Sequence, residues 1–381
     1  MIQDFQNIFT DLSIVQITTL VIFFVLFLLR TLYLFLVTGR VLFCKRRNKE
    51  GKLHTPVTIV FTPRNEEEHI RNILPQLLDI EGLDFEVVVV DDFSQDNSYS
   101  VLGLLNQRYG RLKISSLNQE TRFSVKLAQN IALKSASNNW VLITPIALGR
   151  VTGEWLSGMS GNMEDKKIDL VLGYSSVVRE KSMFNLLYRI ENFYQQIKQA
   201  GYIGCGVAFV YAEDNLAFKK ENYFQRGGYG KNIKEQYANL ELVVNSFITK
   251  RNSVVDFTPS SAICKDITIK RAEYFDLINK SYRIEKHLSA VKRLFLFFDS
   301  VTNLLYLPII MFTLFLVFPV WPLVTLLAGV KLLVHVLIIK SIQNRLNERK
   351  IFIPSLLYGL LMPYYKLFYK WHFNRPNGKY K

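Results

Sequence analysis

The sequence predicts an α/β domain with a mostly parallel sheet and helices on both of its faces. Membrane-spanning helices are expected at both ends of the chain. Three observations lead to this prediction: β-rich runs alternate with helical runs between Val57 and Thr144, long apolar runs lie near both termini, and basic residues are concentrated beside those apolar runs. Alternating strands and helices are typical of a parallel sheet, and apolar runs flanked by lysine and arginine are typical of membrane spans.

Four short runs have the composition of strands. Phe85–Val90 is continuously apolar, as expected of a parallel strand that is buried on both faces. The other three are Val57–Phe61, Lys113–Leu117 and Trp140–Thr144. Helical spacing of apolar residues fills the intervening segments, which are Glu66–Leu78, Ser98–Tyr109 and Ser124–Ser135. Because consecutive βαβ units run in one direction, we expect a ligand to bind at the carboxyl ends of these strands.

Three apolar runs are long enough to cross a membrane. Ile14–Phe43 is interpreted as an uncleaved anchor, since a signal peptide has a shorter apolar core and a basic start, whereas Asp4 and Asp11 precede this run. Val301–Phe318 and Leu323–Ile339 flank two prolines, which predicts a tight hairpin. Ile351–Tyr369 contains two prolines and a lysine, so we expect a helix that lies in the membrane interface rather than a fourth span.

Basic residues outnumber acidic ones by 47 to 32, a net charge of +15, although the mean hydropathy is +0.13. Lysines and arginines between residues 45 and 52 follow the first span, so the positive-inside rule places the main polar segment in the cytoplasm. We therefore expect a multi-pass protein of the cell inner membrane whose basic flanks contact membrane lipids. Because these bases are grouped beside apolar runs, nucleic acid is not expected as a partner.

This layout predicts three domains: an anchor at 1–50, a cytoplasmic domain at 51–293, and a membrane hairpin with an interfacial helix at 294–381. Lys331 and His335 interrupt the third apolar run and are expected to snorkel or to contact the cytoplasmic domain. Cys44, Cys205 and Cys264 have neither paired spacing nor histidine partners, so free thiols are expected rather than disulfides or a zinc site.

An acidic loop follows the second predicted strand. Asp91 and Asp92 come directly after Val90, and Asp96 lies in the same turn. Two adjacent carboxylates repel each other, so their pairing needs a reason. One of them could accept a hydrogen bond from a ligand such as a nucleotide base, or the loop could serve only as a turn and helix cap. The sequence has no GxGxxG and no GxxxxGK[ST] motif, so it lacks the fingerprints of dinucleotide and P-loop sites.

Several ordered motifs together resemble the family 2 glycosyltransferases. The matching strings are VTIVFTPRNEEEHIRNILPQLL from Val57, FEVVVVDDFSQDNS from Phe85, KLAQNIALKSASNNWVLI from Lys126 and NLAFKKENYFQRGGY from Asn215. The resemblance runs from about Pro56 to Lys286. It implies a GT-A domain, which is a Rossmann-like fold that binds nucleotide sugars, together with an N-terminal anchor and C-terminal membrane helices.

The resemblance also implies roles for individual residues. The loop after the first strand would meet the nucleotide, one aspartate after the second strand would meet the base, and a lysine would lie beside the nucleotide. The residues in question are Pro63, Asn65, Glu66, Asp91, Asp92 and Lys126. The donor would be a UDP- or GDP-linked sugar, and the acceptor a lipid-linked molecule or a glycan.

The chain departs from the family at three catalytic motifs. A metal-binding DxD pair should follow the fourth strand, but Pro145 and Ala147 stand there and offer no side-chain oxygen, so a divalent metal is doubtful. The general base would be Glu241, which is the one acid in the matching segment. Of the QxxRW motif only Arg283 is kept, and its guanidinium could meet a phosphate.

These departures leave two functions open. An active enzyme would transfer a sugar to a lipid-linked or polysaccharide acceptor at the cytoplasmic membrane face without a metal. Lys126, Lys280 or Arg283 would then offset the charge of the diphosphate. An inactive relative would keep the fold and act as a partner or scaffold of an active glycosyltransferase.

Overall fold

The computed structural model describes residues 12–44, 55–120, 123–317 and 320–373. Asp4, Asp11, the lysines and arginines at 45–52 and residues 374–381 lie outside them. The described residues form two compact units. The membrane unit comprises those within Met1–Leu42, Ala290–Asn344 and Glu348–Lys381, and the sheet unit comprises those within Phe43–Ser289 and Arg345–Asn347.

The sheet unit is built on seven strands in the order β3-β2-β1-β4-β7-β5-β8, and β6 pairs separately with β9. The strands are β1 (Val57–Phe61), β2 (Phe85–Asp91), β3 (Leu112–Ser116), β4 (Trp140–Ile143), β5 (Leu170–Gly173), β6 (Ser175–Val177), β7 (Leu216–Lys219), β8 (Ser253–Asp256) and β9 (Ile263–Lys265). Strand β7 runs antiparallel to both of its neighbours, and the other pairs in the large sheet are parallel. The predicted mostly parallel α/β sheet is therefore confirmed.

Eight α-helices connect or follow these strands in the described part of the sheet unit, besides 3₁₀ helices at Gly230–Asn232 and Pro259–Ser261. They are α2 (Glu67–Leu78), α3 (Ser98–Arg108), α4 (Ser124–Ser135), α5 (Gly153–Ser160), α6 (Met183–Cys205), α7 (Lys220–Gln225), α8 (Leu240–Val244) and α9 (Arg271–His287). In α2 the buried residues are Ile70, Ile73, Leu74, Leu77 and Leu78, an apolar stripe at helical spacing. This stripe belongs to the same buried core as β1 and β2. Each such side chain contributes about 1.5–3 kcal/mol by leaving water.

The described part of the membrane unit contains four α-helices and a 3₁₀ helix at Arg349–Ile351. Helix α1 (Ile14–Tyr33) continues through a π-helical turn and a 3₁₀ turn to Phe43, and the others are α10 (Ala290–Leu316), α11 (Trp321–Arg345) and α12 (Phe352–Phe373). Within the described chain, Ile14–Phe43, α10 and α11 are long and apolar enough to cross a membrane, which confirms the three predicted spans. Helix α12 is not among these candidates, and its place in the membrane interface stays a prediction.

Strand direction decides where a site can form. The carboxyl ends of β1, β2 and β4 meet at one edge of the sheet, as in other parallel sheets. Because β7 is antiparallel to β4, its amino end lies at this same edge. The residues that precede β7, Glu213 and Asp214, are therefore brought beside the loop that follows β4.

Candidate functional site

Hydrogen bonds join the loops after β1 and β2 at the carboxyl edge of the sheet. The backbone N–H of Asn65 donates to Ser94 Oγ at 2.9 Å, and Asn65 Oδ1 accepts from the backbone N–H of Gln95 at 2.7 Å. Asn65 has φ of 55°, a left-handed conformation that asparagine adopts more readily than most residues. The backbone N–H of Glu66 donates to Ser98 Oγ at 3.1 Å. Asn65 and Glu66 thus position the loop that was expected to meet a nucleotide.

The adjacent aspartates have different surroundings. Asp91 is buried and accepts two hydrogen bonds from Ser94, one from its backbone N–H at 3.0 Å and one from its hydroxyl at 2.5 Å. These bonds fix the turn after β2. Of the two alternatives for this loop, the turn-forming role therefore describes Asp91.

Asp92 keeps one carboxylate oxygen unused. It is 1% exposed, its backbone N–H donates to the carbonyl of the buried Pro63 at 2.9 Å, and its Oδ2 accepts from Ser124 Oγ at 3.0 Å. Its Oδ1 is buried without a hydrogen-bond partner in the described part of the chain. Burial raises the pKa of Asp92, although the Ser124 hydrogen bond opposes this shift. A buried acceptor without a hydrogen bond costs about 1–3 kcal/mol. A ligand group that donates a hydrogen bond to Oδ1 would remove this cost.

Lys126 is buried rather than exposed. Its ammonium donates to the carbonyls of Asn232 at 3.1 Å and Ile233 at 3.3 Å, and also to that of Glu235. The Tyr229 ring lies beside it, with 5.5 Å from Nζ to the ring centroid. Burial lowers the pKa of Lys126. The lysine therefore holds the segment after α7 against α4, and its predicted place beside a nucleotide stays a prediction.

The loop after β4 does not fit a divalent metal. Pro145 and Ala147 carry no side-chain oxygen, and Ile146, Ala147 and Leu148 are buried apolar residues. Among the described residues, no group of three or more His, Cys, Asp or Glu could hold a metal ion. A metal that bridges a diphosphate needs several oxygen ligands in fixed geometry, which this loop does not provide.

Glu241 is enclosed in an ion pair. It is 0% exposed, its Oε1 lies 2.5 Å from Lys280 Nζ, and its Oε2 accepts from the backbone N–H of Asn239 at 2.9 Å. The charges of Glu241 and its acidic neighbours raise the pKa of Lys280, although burial of the ammonium opposes this shift. Arg283 is exposed, with its guanidinium carbon 5.8 Å from the centroid of the Tyr237 ring.

Two acids that sequence reasoning missed precede β7. The half-buried Glu213 accepts from Asn239 Nδ2 at 3.3 Å and from the backbone N–H of Leu240 at 3.0 Å. Burial and the nearby charge of Glu241 raise the pKa of Glu213 to about 7. Asp214 is ion-paired with Lys265, which is 5% exposed and also donates to Tyr188 Oη at 3.4 Å.

Strand β9 brings Lys265 to this edge. The residue pairs across to Leu148, and the backbone N–H of Asp266 donates to the Ala147 carbonyl at 2.9 Å. A lysine therefore lies against the loop where the family resemblance would place metal-binding acids. In the sequence, the signal for Glu213 and Asp214 is an acidic pair directly before the matched string that starts at Asn215. Their place at this edge depends on the antiparallel pairing of β7, and that of Lys265 depends on β9.

One exposed cation adjoins Asp92. Arg64 follows Pro63 in the loop after β1, and its charge acts on the Asp92 carboxylate. Its guanidinium contacts Glu120 at 2.6 Å, with the two side chains 38% and 59% exposed. Such exposed pairs contribute little to stability, so Arg64 can exchange this partner for an anionic ligand at small cost.

Comparisons with known proteins agree with this architecture. Residues 58–144 match the family model described as Glycosyl transferase family 2. The chain is similar in fold to the mannosyltransferase PcManGT from Pyrobaculum calidifontis, solved in complex with GDP-Man and Mn2+, with a TM-score of 0.53 and 17% identity over 91% of this chain and 97% of that one. This similarity confirms the GT-A fold, and the family model confirms the family 2 resemblance over the matched residues.

Other solved structures are less similar. TarS 1–349 from S. aureus in complex with UDP has a TM-score of 0.40 and 17% identity over 61% of this chain and 65% of that one. Glucosyl-3-phosphoglycerate synthase from Mycobacterium tuberculosis, in complex with Mn2+, UDP and glucosyl-3-phosphoglycerate, has a TM-score of 0.41 and 14% identity over 61% of this chain and 81% of that one. No curated protein has a significantly similar sequence.

Proposed function

We propose that this GT-A protein is a membrane-bound glycosyltransferase that takes a sugar from a UDP- or GDP-linked donor. The acceptor would be a lipid-linked molecule or a polysaccharide at the cytoplasmic membrane face. The observation that carries the proposal is Asp92, whose buried Oδ1 lacks a partner among the described residues and lies within the segment matched by the family 2 model. A base N–H of a nucleotide is the kind of donor that satisfies such an oxygen.

The donor's diphosphate would be met by side chains rather than by a metal. Arg64 adjoins Asp92 and can exchange its exposed partner Glu120 for a phosphate, and Arg283 is exposed, so both guanidiniums can turn toward phosphate oxygens. Lys126 and Lys280, which were expected to share this task, are already engaged with loop carbonyls and with Glu241. We therefore assign the phosphate contacts first to Arg64 and Arg283.

Glu213 is better suited than Glu241 to act as the general base. A general base must come within hydrogen-bond reach of the acceptor hydroxyl. Glu241 is 0% exposed and paired with Lys280, whereas Glu213 is half-buried beside the loop after β4. The pKa of Glu213, about 7, also allows it to take and release a proton near neutral pH.

Titration of the purified full chain in detergent with UDP-, GDP- and dTDP-sugars, with and without Mn²⁺, tests the donor assignment. Binding of one donor that is unaffected by Mn²⁺ is the expected result. The preferred donor, radiolabelled in its sugar, is then incubated with membranes, and transfer into the lipid or polysaccharide fraction is measured. Absence of binding to every donor would overturn the proposal.

A second candidate function is that of an inactive partner of an active glycosyltransferase. The specific observation in its favour is that Lys265 pairs with Asp214 and Lys280 pairs with Glu241. The loop after β4, where metal ligands would be expected, has none. Donor binding without transfer or donor hydrolysis in any membrane fraction would favour this function. Transfer that Glu213→Gln abolishes would exclude it.

A further inference from the structure

The membrane unit contains an excess of positive charge along its helices. Asp299 of α10 is the single acidic residue in Ile14–Phe43, α10, α11 and α12. It pairs with Arg30 of α1, with 2.8 Å between Oδ1 and Nη1 and side chains only 10% and 12% exposed. Pairing with an opposite charge is how ionised residues are ordinarily accommodated among apolar helices. The only carboxylate of these helices, that of Asp299, is therefore already paired with Arg30.

Lys331 of α11 has no such counter-charge among the described residues of these helices. Its Nζ lies over the ring of Tyr306, 3.6 Å from the ring centroid. A cation–π contact of this kind stabilises a lysine by less than its placement in the middle of a spanning helix costs. The ring alone therefore does not compensate. The charge of Arg30 also acts on Lys331, and both cations act on His335.

The same helices carry two hydroxyls that have no hydrogen-bond partner within the described chain. The hydroxyls of Tyr306 and Thr31 are buried without partners in the part of the chain that the structure describes. Arg30 contacts Asp299 through Nη1 alone, at the carboxylate and at the backbone carbonyl. Its other nitrogen atoms contact no acceptor among the described residues. We call Arg30, Thr31, Tyr306, Lys331 and His335 the basic cluster.

The basic cluster extends from the middle of the helices toward the end that is opposite the α10–α11 connection. At 1.5 Å per residue, Lys331 lies about 15 Å from the start of α11 and Asp299 about 25 Å from the end of α10. The hydrocarbon layer of a bilayer is about 30 Å thick. With the end of α10 and the start of α11 at one boundary of that layer, the Arg30–Asp299 pair lies near the other boundary, within reach of a lipid phosphate.

We propose that the basic cluster binds the phosphate group of a lipid. A phosphate supplies the missing negative charge and several acceptor oxygens, which match an ammonium, a guanidinium and two hydroxyls. The phosphate belongs either to the headgroup of a bilayer phospholipid or to the end of a phosphorylated lipid carrier. The proposal does not rest on the proposed function, because occupancy of the basic cluster requires no transfer.

Thermal unfolding of the delipidated full chain in detergent tests this site. The additives are phosphatidylglycerol, a prenyl monophosphate, diacylglycerol and inorganic phosphate, each titrated separately. We expect phosphatidylglycerol or the prenyl monophosphate to raise Tm, and the one that acts at lower concentration identifies the source. Equal stabilisation by diacylglycerol, or by inorganic phosphate alone, would overturn the proposal, and so would no stabilisation by either phosphorylated lipid.

Lys331→Met supplies the residue-specific test. Methionine keeps an unbranched side chain and removes a charge from an apolar region, so the lipid-free variant should unfold no earlier than the wild type. We expect its half-saturating lipid concentration to rise about tenfold or more, because a charge-assisted hydrogen bond is lost. Lys340→Met, at an exposed position further along α11, is the matched control and should leave lipid binding unchanged. Equal effects of the two substitutions, or no effect of Lys331→Met, would contradict the proposed site.

Discussion

The ion pair between Glu241 and Lys280 predicts a large and asymmetric effect of removing one partner. Glu241 is 0% exposed and Lys280 is 22% exposed, with 2.5 Å between Oε1 and Nζ. Lys280→Met leaves the Glu241 carboxylate buried without its counter-charge. Breaking a buried pair in this way costs about 3–5 kcal/mol. Because Lys280 retains some contact with water, we expect the lower end, about 3 kcal/mol.

The effect is measured by thermal unfolding in detergent, followed by tryptophan fluorescence. For a unit of about 240 residues, a loss of about 3 kcal/mol corresponds to a decrease in Tm of roughly 6–12 °C. The double variant Glu241→Gln/Lys280→Met removes both charges and should recover much of this loss.

An exposed ion pair of the same unit provides the control. Arg64 and Glu120 are 2.6 Å apart, nearly the same separation, but their side chains are 38% and 59% exposed. Glu120→Gln should therefore lower Tm by no more than about 2–4 °C. If Lys280→Met lowers Tm no more than Glu120→Gln does, the reasoning that burial makes this pair strong is refuted.

Three further predictions concern the carboxyl edge. Glu213→Gln should reduce the rate of sugar transfer about 100-fold or more without changing donor binding. The control Glu221→Gln, at the other end of β7, should change neither the rate nor donor binding. An unchanged rate in Glu213→Gln would exclude Glu213 as the base. Because the folded pKa of Glu213, about 7, lies above its ordinary value of 4.5, its contribution to stability is lost as pH rises from about 4.5 to about 7. Tm of Glu213→Gln minus Tm of the wild type should thus be larger at pH 8 than at pH 5, and a constant difference would contradict the shift. Treatment with EDTA should leave donor affinity unchanged in calorimetric titration, since the loop after β4 offers no metal ligands.

Local sequence patterns were sufficient to predict the first half of the sheet unit. The runs predicted as strands and helices between Val57 and Ile143 match the observed elements to within two residues, because each has a clear period and turn residues at its ends. The helical stripe of α2 and the apolar run of β2 are examples. The three candidate membrane spans could also be predicted from the sequence, because length and hydropathy alone identify them.

The site required long-range pairing that no local pattern contains. Strand β7 enters the sheet antiparallel between β4 and β5, which brings Glu213 and Asp214 to the carboxyl edge. The family resemblance implies that Lys126 lies beside the nucleotide, but no local pattern indicates that it is buried, which it is because the segment after α7 folds over it. Asp91 and Asp92 were distinguished only by their partners, which are Ser94 for one and Ser124 for the other.

Calorimetric titration of the wild type and of Asp92→Ala with the preferred nucleotide tests the central claim most directly. Asp84→Ala is the matched control, because Asp84 is exposed just before the opposite end of the same strand. We predict metal-independent binding to the wild type and to Asp84→Ala, and binding to Asp92→Ala that is about tenfold weaker or more. Equal affinity of Asp92→Ala and the wild type, or binding only in the presence of Mn²⁺, would contradict the account.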